Sequence, residues 1–500
     1  MSGFNDYNLS VSLEDNIKII KEIFKNDDTI IFRLFENQFD NRYKCCIVFA
    51  DGMVNKSIIN DSIILPIVEN TKLKKKLDAS DAIDELQYRV ILSDNVVKSK
   101  DLNQLIDGIV NGNTILFLEG TDEFLIISTM GWETRAIEEP PSEKIIKGPR
   151  DGFIESIIEN LSMLRRTIKS PDLKFRFMTL GEKTRTKACV CYVEGIANEK
   201  LVDELLKRLD SFNMDGTLTI NNIQETIKDH PLSPFKTTGN TERPDVVAAK
   251  LLEGRVALFL DGTPVVMTVP FMFIESFQAN EDYYINFYYG SINRMLRIFG
   301  FLITTSVPAL YLAFATFHQE LIPTSLVLSI SAARQDIPFP TIVELIVMLV
   351  VFEILREAGT RMPTYIGQAL SIVGALVLGQ AAVQARIVSA PVLIVVGLSG
   401  ITGLMIPSIA GVSIICRILL LLLSSSLGIY GYNIGILFLL VHLFSLQSFG
   451  VPYMSSINSF KLQELKDTAI RAPWWYMKYR PRSIATKNPK RKPIGENDNE

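Results

Sequence analysis

An α+β region built by internal duplication, followed by an all-α polytopic membrane domain, is the architecture this sequence predicts. Three observations carry it. Residues 1 to about 290 are polar and mix strand-like with helix-like patterns, whereas those from about 295 to 450 are apolar and precede a short basic tail. From Tyr365 to Gly450 the only charged side chains are Arg386 and Arg417, a composition that a water-exposed surface does not need. Finally, two stretches of the polar half recur at nearly one offset, the mark of a repeat. The whole-chain figures (48% hydrophobic, 21% charged, net charge -4) look ordinary because two unlike halves are averaged.

Taken in order, the chain opens with MSGFNDYNLSVSLEDN. It has no basic segment followed by an apolar core, no Met-Gly of a myristoylation site and no lipobox-like cysteine, so the N-terminal part is expected on the cytoplasmic side. Cys45, Cys46, Cys189 and Cys191 lie inside apolar strand-like runs and read as buried free thiols. His230, His318 and His442 are scattered, away from any cysteine pair. No metal site or other cofactor is expected.

The duplication rests on two pairs of segments. YKCCIVFADGMVN from Tyr43 and TKACVCYVEGIAN from Thr186 both place an apolar strand before an acidic-Gly turn (Asp51-Gly52, Glu194-Gly195) and an Asn (Asn55, Asn198), at an offset of 143. GNTILFLEGTDEFLIIS from Gly112 and GRVALFLDGTPVVMTVP from Gly254 place Glu119-Gly120-Thr121 and Asp261-Gly262-Thr263 in a hairpin turn, at an offset of 142. Residues of about 30–140 and 170–275 therefore read as two copies of one α+β module: strand, helix, second helix, hairpin. In the second copy a helix over Ala197–Phe212 buries Leu201, Leu205, Leu206 and Leu209, and another lies near Pro244–Leu252. The linking GPRDGFIESIIENLSMLRRTIKSPDLKF reads as an amphipathic helix ending in Arg165, Arg166 and Lys169. The expected domains are 1–147, 148–290, 291–455 for the membrane part and 456–500 for the tail.

This half predicts no enzyme. Turn chemistry accounts for its Asp-Gly and Glu-Gly pairs, and it carries no Gly-rich phosphate loop, GxSxG or HExxH. Binding or assembly is the expected role.

Apolar segments at about 296–317, 339–355, 365–385, 388–406, 410–428 and 431–448 predict six spans, or five if one dips and returns. Leu321–Ala333 is too short to cross and reads as interfacial or re-entrant. Arg294 and Arg297 precede the first span, Arg356 and Arg361 follow the second, and the tail carries ten Lys and Arg between Lys461 and Lys492. That asymmetry places both ends on the cytoplasmic side. In the tail, Trp474, Trp475, Tyr476 and Arg480 read as an anchor at the lipid headgroups in preference to a nucleic-acid patch.

Three features point beyond passive anchoring. The span number exceeds what an anchor needs. The predicted helix Tyr365–Ala385 carries Gly367, Ser371, Gly374, Ala381 and Ala385 at close-packing spacing, with Gln368, Gln380 and Gln384. Glu344 lies about a turn inside the second span with no base nearby in sequence, and rings of such carboxylates select cations. Glu344, Gly374, Val377, Gln380 and Gln384 are thus the pore-lining or gating candidates. Glu353, Arg356, Glu357 and Arg361 are spaced for i,i+3 and i,i+4 ion pairs. Packing, interhelical hydrogen bonding and a satisfied surface ion cluster are the structural alternatives.

PFPTIVELIVMLVVFEILREAGTRMP with IGQALSIVGALVLGQAAVQARIVSAPVLIVVGLSGITGLMIPS resembles the A subunits of bacterial spore germination receptors, the GerA family. GPRDGF…RRTIKSPDL and GSINRMLRIFGF resemble further motifs of that family, so the likeness runs over nearly the entire chain. A SpoVA-operon paralogue of the same architecture is the alternative within it. The resemblance implies a multi-pass protein of the spore inner membrane, with N-terminal region and tail on the core side. Its implied partners are a transporter-like B subunit, a lipoprotein C subunit, membrane lipids and copies of itself, as a pentamer; no nucleic acid is implied. The implied role is a ligand-gated cation channel. A non-conducting scaffold is the competing class, and a secondary transporter ranks last because no inverted repeat is legible among the spans.

Overall fold

The computed structural model describes residues 9–39, 43–69, 79–131, 140, 143, 145, 147–361, 374, 377–455, 467–481, 484 and 488–491. The chain divides into two compact units, one formed by 1–228, 238–270 and 478–500 and the other by 229–237 and 271–477.

The first unit holds two five-stranded antiparallel sheets. One contains β1 (Ile30–Glu36), β2 (Lys44–Ala50), β3 (Val96–Ser99), β4 (Thr114–Leu118) and β5 (Phe124–Ile127) in the order β1-β2-β4-β5-β3. The other contains β6 (Leu173–Leu180), β7 (Thr186–Val193), β8 (Gly239–Thr241), β9 (Val256–Leu260) and β10 (Val266–Val269) in the order β6-β7-β9-β10-β8. The orders coincide, and so do the registers. Cys46 lies opposite Phe117 in the first sheet, and Cys189 opposite Phe259 in the second. Ile30 pairs with Ala50 as Leu173 pairs with Val193. A one-residue slip would turn every side chain over, so matched register is strong evidence of duplication.

Two helices of each copy match as well. α1 (Leu13–Ile23) and α2 (Leu102–Val110) correspond to α3 (Ile157–Thr167) and α6 (Pro244–Leu252); α4 (Glu199–Asp210) and α5 (Ile220–Ile227) lie between. α3, placed between the copies on sequence, is the opening helix of the second. The strands also depart from simple alternation. β2 packs Cys45, Ile47 and Phe49 into one apolar cluster and Cys46, Val48 and Ala50 into another. Both faces are covered, so the strand reads as a continuous apolar run.

In the second unit, α7 (Phe287–Thr316) is capped by the Asn286 side chain, which accepts from the Tyr288 amide. α8 (Thr324–Arg334) buries none of its residues. Then come α9 (Thr341–Arg361), α10 (Ala390–Leu404), α11 (Ala410–Leu427) and α12 (Ile429–Ser445). α7 and the stretch Pro407–Leu427 are long and apolar enough to cross a membrane, while α10 and α12 are apolar but shorter. The α11–α12 turn is one residue, Gly428, at φ +62 and ψ -135. That conformation is essentially confined to glycine.

α7 and α10 meet along a polar seam. Pro308 has no N–H and leaves the carbonyl of Thr304 without its helical donor. Ser399 Oγ donates to that carbonyl at 2.8 Å, and the Thr304 and Thr402 hydroxyls bond each other at 2.8 Å.

Candidate functional site

Residues 377–384 are helical, and their exposure is one-sided. Val377, Leu378, Gln380, Ala381 and Gln384 are exposed, whereas Gly379 is buried and Ala382 and Val383 are half-buried. The spacing of three, four and seven puts Val377, Gln380, Ala381 and Gln384 on one stripe, with Leu378 at its edge. Gly379 faces α10 so closely that a Cβ there would lie 2.9 Å from Leu393 Cδ1, and one on Gly374 would lie 3.1 Å from Leu355 Cδ2. The small residues thus admit neighbouring helices, and the amides lie on the uncovered side. Gly367, Gln368 and Ser371 fall outside the described residues.

Glu344 is 1% exposed. Its Oε2 accepts the Ser389 amide at 2.8 Å, at the N-terminus of α10, and its Oε1 lies 3.7 Å from Arg334 Nε. The positive end of a helix is a suitable seat for a carboxylate. The base that the local sequence lacks comes from the end of α8, ten positions upstream. One helical turn is too short a window to find it.

The second acidic group is bridged. Glu353 meets Arg356 at 2.6 Å on its own helix and the buried Arg417 of α11 at 2.9 Å, while Arg361 meets Glu357 at 2.7 Å. Arg417 is one of two charges in its apolar stretch, and its partner joins α11 to α9. An apolar groove of ≈ 690 Å³ runs beside this pair, walled by Val350, Ile354, Ile418 and Leu422.

A third charged group was not legible in the sequence. Arg294 is fully buried, bonding Asp282 at 3.3 Å and Asp467 at 2.8 Å. Arg297 also pairs with Asp282, and Tyr283 donates to Asp467 at 2.7 Å. The arginines that flank the first span therefore bind tail residue Asp467 to the loop before α7. Arg471 stacks 5.7 Å from the Trp474 ring, and Trp475 meets Phe287 edge-on at 5.9 Å. Trp474, Trp475 and Tyr476 nonetheless stay exposed. Arg480 differs from them: it is buried, and its Nε donates to the carbonyl of Leu252 at 2.7 Å. Among the described residues, no group of three or more His, Cys, Asp or Glu is placed to hold a metal ion.

Residues 18–483 match the family described as Bacillus/Clostridium GerA spore germination protein. The chain belongs to this GerA family. Spore germination protein KA of Bacillus subtilis (strain 168) is 41% identical over 480 residues, covering 95% of this chain and 87% of that protein. Spore germination protein GerLA of Bacillus cereus is 33% identical over 487 residues, covering 96% and 97%. The crystal structure of the N-terminal domain of the A subunit of the Bacillus megaterium spore germinant receptor GerK3 is similar at 33% identity, over 53% of this chain and 98% of that one, with a TM-score of 0.42.

The GerA-like motif RRTIKSPDL has a structural reason in this chain. Arg165 is buried against Asp27 at 2.5 Å and 4.7 Å from the Phe175 ring, and Asp27 also accepts from the Thr29 hydroxyl at 2.6 Å. The Asp28 amide donates to the Phe175 carbonyl at 2.9 Å, and Lys174 Nζ to the Ile23 carbonyl at 3.0 Å. The motif joins the two copies.

Proposed function

We propose that this GerA chain is the membrane A subunit of a nutrient-responsive spore germination receptor, and that copies of it assemble into a ligand-gated cation channel whose opening starts germination. One observation carries the channel part: the stripe Val377–Gln380–Gln384 is uncovered on a helix of the apolar half. Amide side chains facing hydrocarbon would be costly, so such a face calls for a wet path or a neighbouring copy. A homo-oligomer, a pentamer by family resemblance, supplies both. Gly374 and Gly379 let the helix shift against Leu355 and Leu393 when a partner binds its ligand. In this reading a transporter-like B subunit senses the nutrient and a lipoprotein C subunit completes the receptor. The chain is multi-pass in the spore inner membrane, its termini on the core side, with Trp474, Trp475 and Tyr476 at the lipid headgroups.

The test is potassium and membrane-potential leak in growing bacteria that express the full receptor, comparing wild type with Val377→Ala and Gln380→Ala. Ligand-dependent leak that these changes open or abolish, with subunit association intact, is the expected result. Normal assembly and ligand binding without leak in any variant would sink the channel reading in favour of a non-conducting scaffold.

A further inference from the structure

Two arginines share one carboxylate where α9 and α11 meet. Glu353 takes Arg356 at 2.6 Å and Arg417 at 2.9 Å, whereas Glu357 and Arg361 pair with each other at 2.7 Å. Among the described residues, Glu353 and Arg356 are the charges that act on Arg417. The group of three therefore keeps one positive charge without a counterpart. Arg417 is 3% exposed, and its Nη1 has no hydrogen-bond partner. An uncompensated charge is costly to bury in apolar surroundings. This one calls for an anion.

The surroundings of Arg417 narrow the choice of anion. Arg417, Glu353, Glu357 and Arg361 all line the apolar groove of ≈ 690 Å³. α9 and α11 run antiparallel along it, since Leu421 shares an apolar cluster with Leu345 and Leu349 while Arg417 meets Glu353. Ile346 and Val350 of α9 and Ile418 and Leu422 of α11 thus lie on one side of the ion pair, and Glu357 and Arg361 on the other. From Glu353 to Ile346 the apolar side extends about 10 Å along α9. Its walls are uncovered, with Ile346, Val350, Ile418 and Leu422 all exposed. A groove apolar at one end and cationic at the other fits an anionic amphiphile. A second copy of this chain does not supply the missing charge. The carboxylates of α7 to α12 are Glu344, Glu353 and Glu357, each already facing an arginine of its own chain, and residues 362–389 add none.

We propose that this groove binds an acyl chain of an anionic phospholipid, whose phosphate accepts from Arg417 Nη1 and neutralises the Arg356–Glu353–Arg417 group. Arginine donors suit phosphate oxygens, and basic pockets between apolar helices take lipid headgroups in this way. The site rests on the membrane reading of the apolar half given above and not on conduction.

The experiment follows thermal unfolding of the purified full chain in detergent while dioleoylphosphatidylglycerol or dioleoylphosphatidylcholine is titrated in. A saturable rise in midpoint is expected with phosphatidylglycerol and a far weaker one with phosphatidylcholine. Arg417→Met leaves Glu353 paired with Arg356 and should weaken the apparent affinity for phosphatidylglycerol about tenfold, equivalent to about 1.4 kcal/mol. Glu353→Gln removes the negative charge and should strengthen it, whereas a merely structural role for the ion pair predicts that both changes act alike. Ile418→Phe fills the groove and should abolish the preference. If Glu353→Gln does not fold, Arg417→Met and Ile418→Phe carry the decision. A phosphatidylglycerol effect that Arg417→Met leaves unchanged puts the lipid elsewhere, as on the basic tail, and overturns the proposal. Equal rises with both lipids, or a rise reproduced by inorganic phosphate alone, overturn it too. A changed oligomeric state in Ile418→Phe with lipid preference intact gives the groove to a second copy instead. Flotation of the full chain with phosphatidylcholine vesicles separates the two readings. Without flotation the membrane reading fails and the site with it, while flotation without a phosphatidylglycerol preference overturns the site alone.

Discussion

Asn16 and Asn160 occupy the same place in the two copies and do the same work. Each is buried, accepts a backbone amide six residues upstream at 2.8 Å and donates back to the carbonyl of that residue, Ser10 or Ile154. The acidic turn residues have a matching second role. Glu119 accepts the Leu13 amide at 3.2 Å and Asp261 the Ile157 amide at 3.1 Å, each at the start of the copy's first helix. Turn chemistry explains the glycine that follows, while this cap explains the carboxylate. Asn160→Ala takes the partner from the half-buried amide and carbonyl of Ile154 and is expected to cost about 2 kcal/mol, read from the thermal unfolding of the full chain. The thiols provide a second check. Burial pushes Cys45 up to about 12 and Cys46 up to about 11, from an ordinary value of 9.0. The native chain should therefore resist iodoacetamide at pH 8, where unfolded chain reacts. The sign for stability follows: the unfolded thiols ionise above pH 9 while the folded ones do not. Their contribution is full below pH 9 and is lost progressively towards pH 12. Chemical unfolding at pH 8 and pH 10.5 measures it, and Cys45→Ala should flatten the difference.

At the scale of elements, the seam between α7 and α10 is a repair of proline chemistry. Pro308 orphans the carbonyl of Thr304, and Ser399 satisfies it from the facing helix. Hydrogen bonds between helices in apolar surroundings average about 0.6 kcal/mol and reach about 1.7. Ser399→Ala is expected near the upper end, because the carbonyl has no helical donor to fall back on. Pro308→Ala restores that donor, so the same serine change should cost less in the Pro308→Ala background. A double-mutant cycle of unfolding in detergent reads the coupling, and additive effects would remove this account. Nothing in the local sequence links Pro308 to Ser399, which lie 91 positions apart. The gap in burial between Gln384 and Gly379 is different in kind, since helical spacing alone assigns them to opposite sides.

At the scale of the whole molecule, a few buried ions hold segments that lie far apart in the chain. Asp27 and Arg165 join the copies, and Asp282, Arg294 and Asp467 bind the tail to the start of α7. Removing one member of a buried pair costs about 3–5 kcal/mol, because the other charge is left without its partner. Asp27→Asn is accordingly expected to lower the unfolding midpoint of the full chain sharply, while Asp27→Leu with Arg165→Met should recover most of the loss. Asp467→Asn should loosen the tail instead, and earlier cleavage around 467–477 in limited proteolysis would report it. The sequence alone determined what depends on short-range pattern: two α+β copies, buried thiols, an apolar helical half and the helix that carries Gln380 and Gln384. It also sufficed for the pairing of Glu357 with Arg361, because i,i+4 neighbours meet on any helix. The tertiary structure decided the partners of Glu344, Arg417, Arg294 and Arg165. Each of these ions meets its partner on another element. A charge in a poorly polarisable interior interacts over distance in space, to which separation along the chain is no guide.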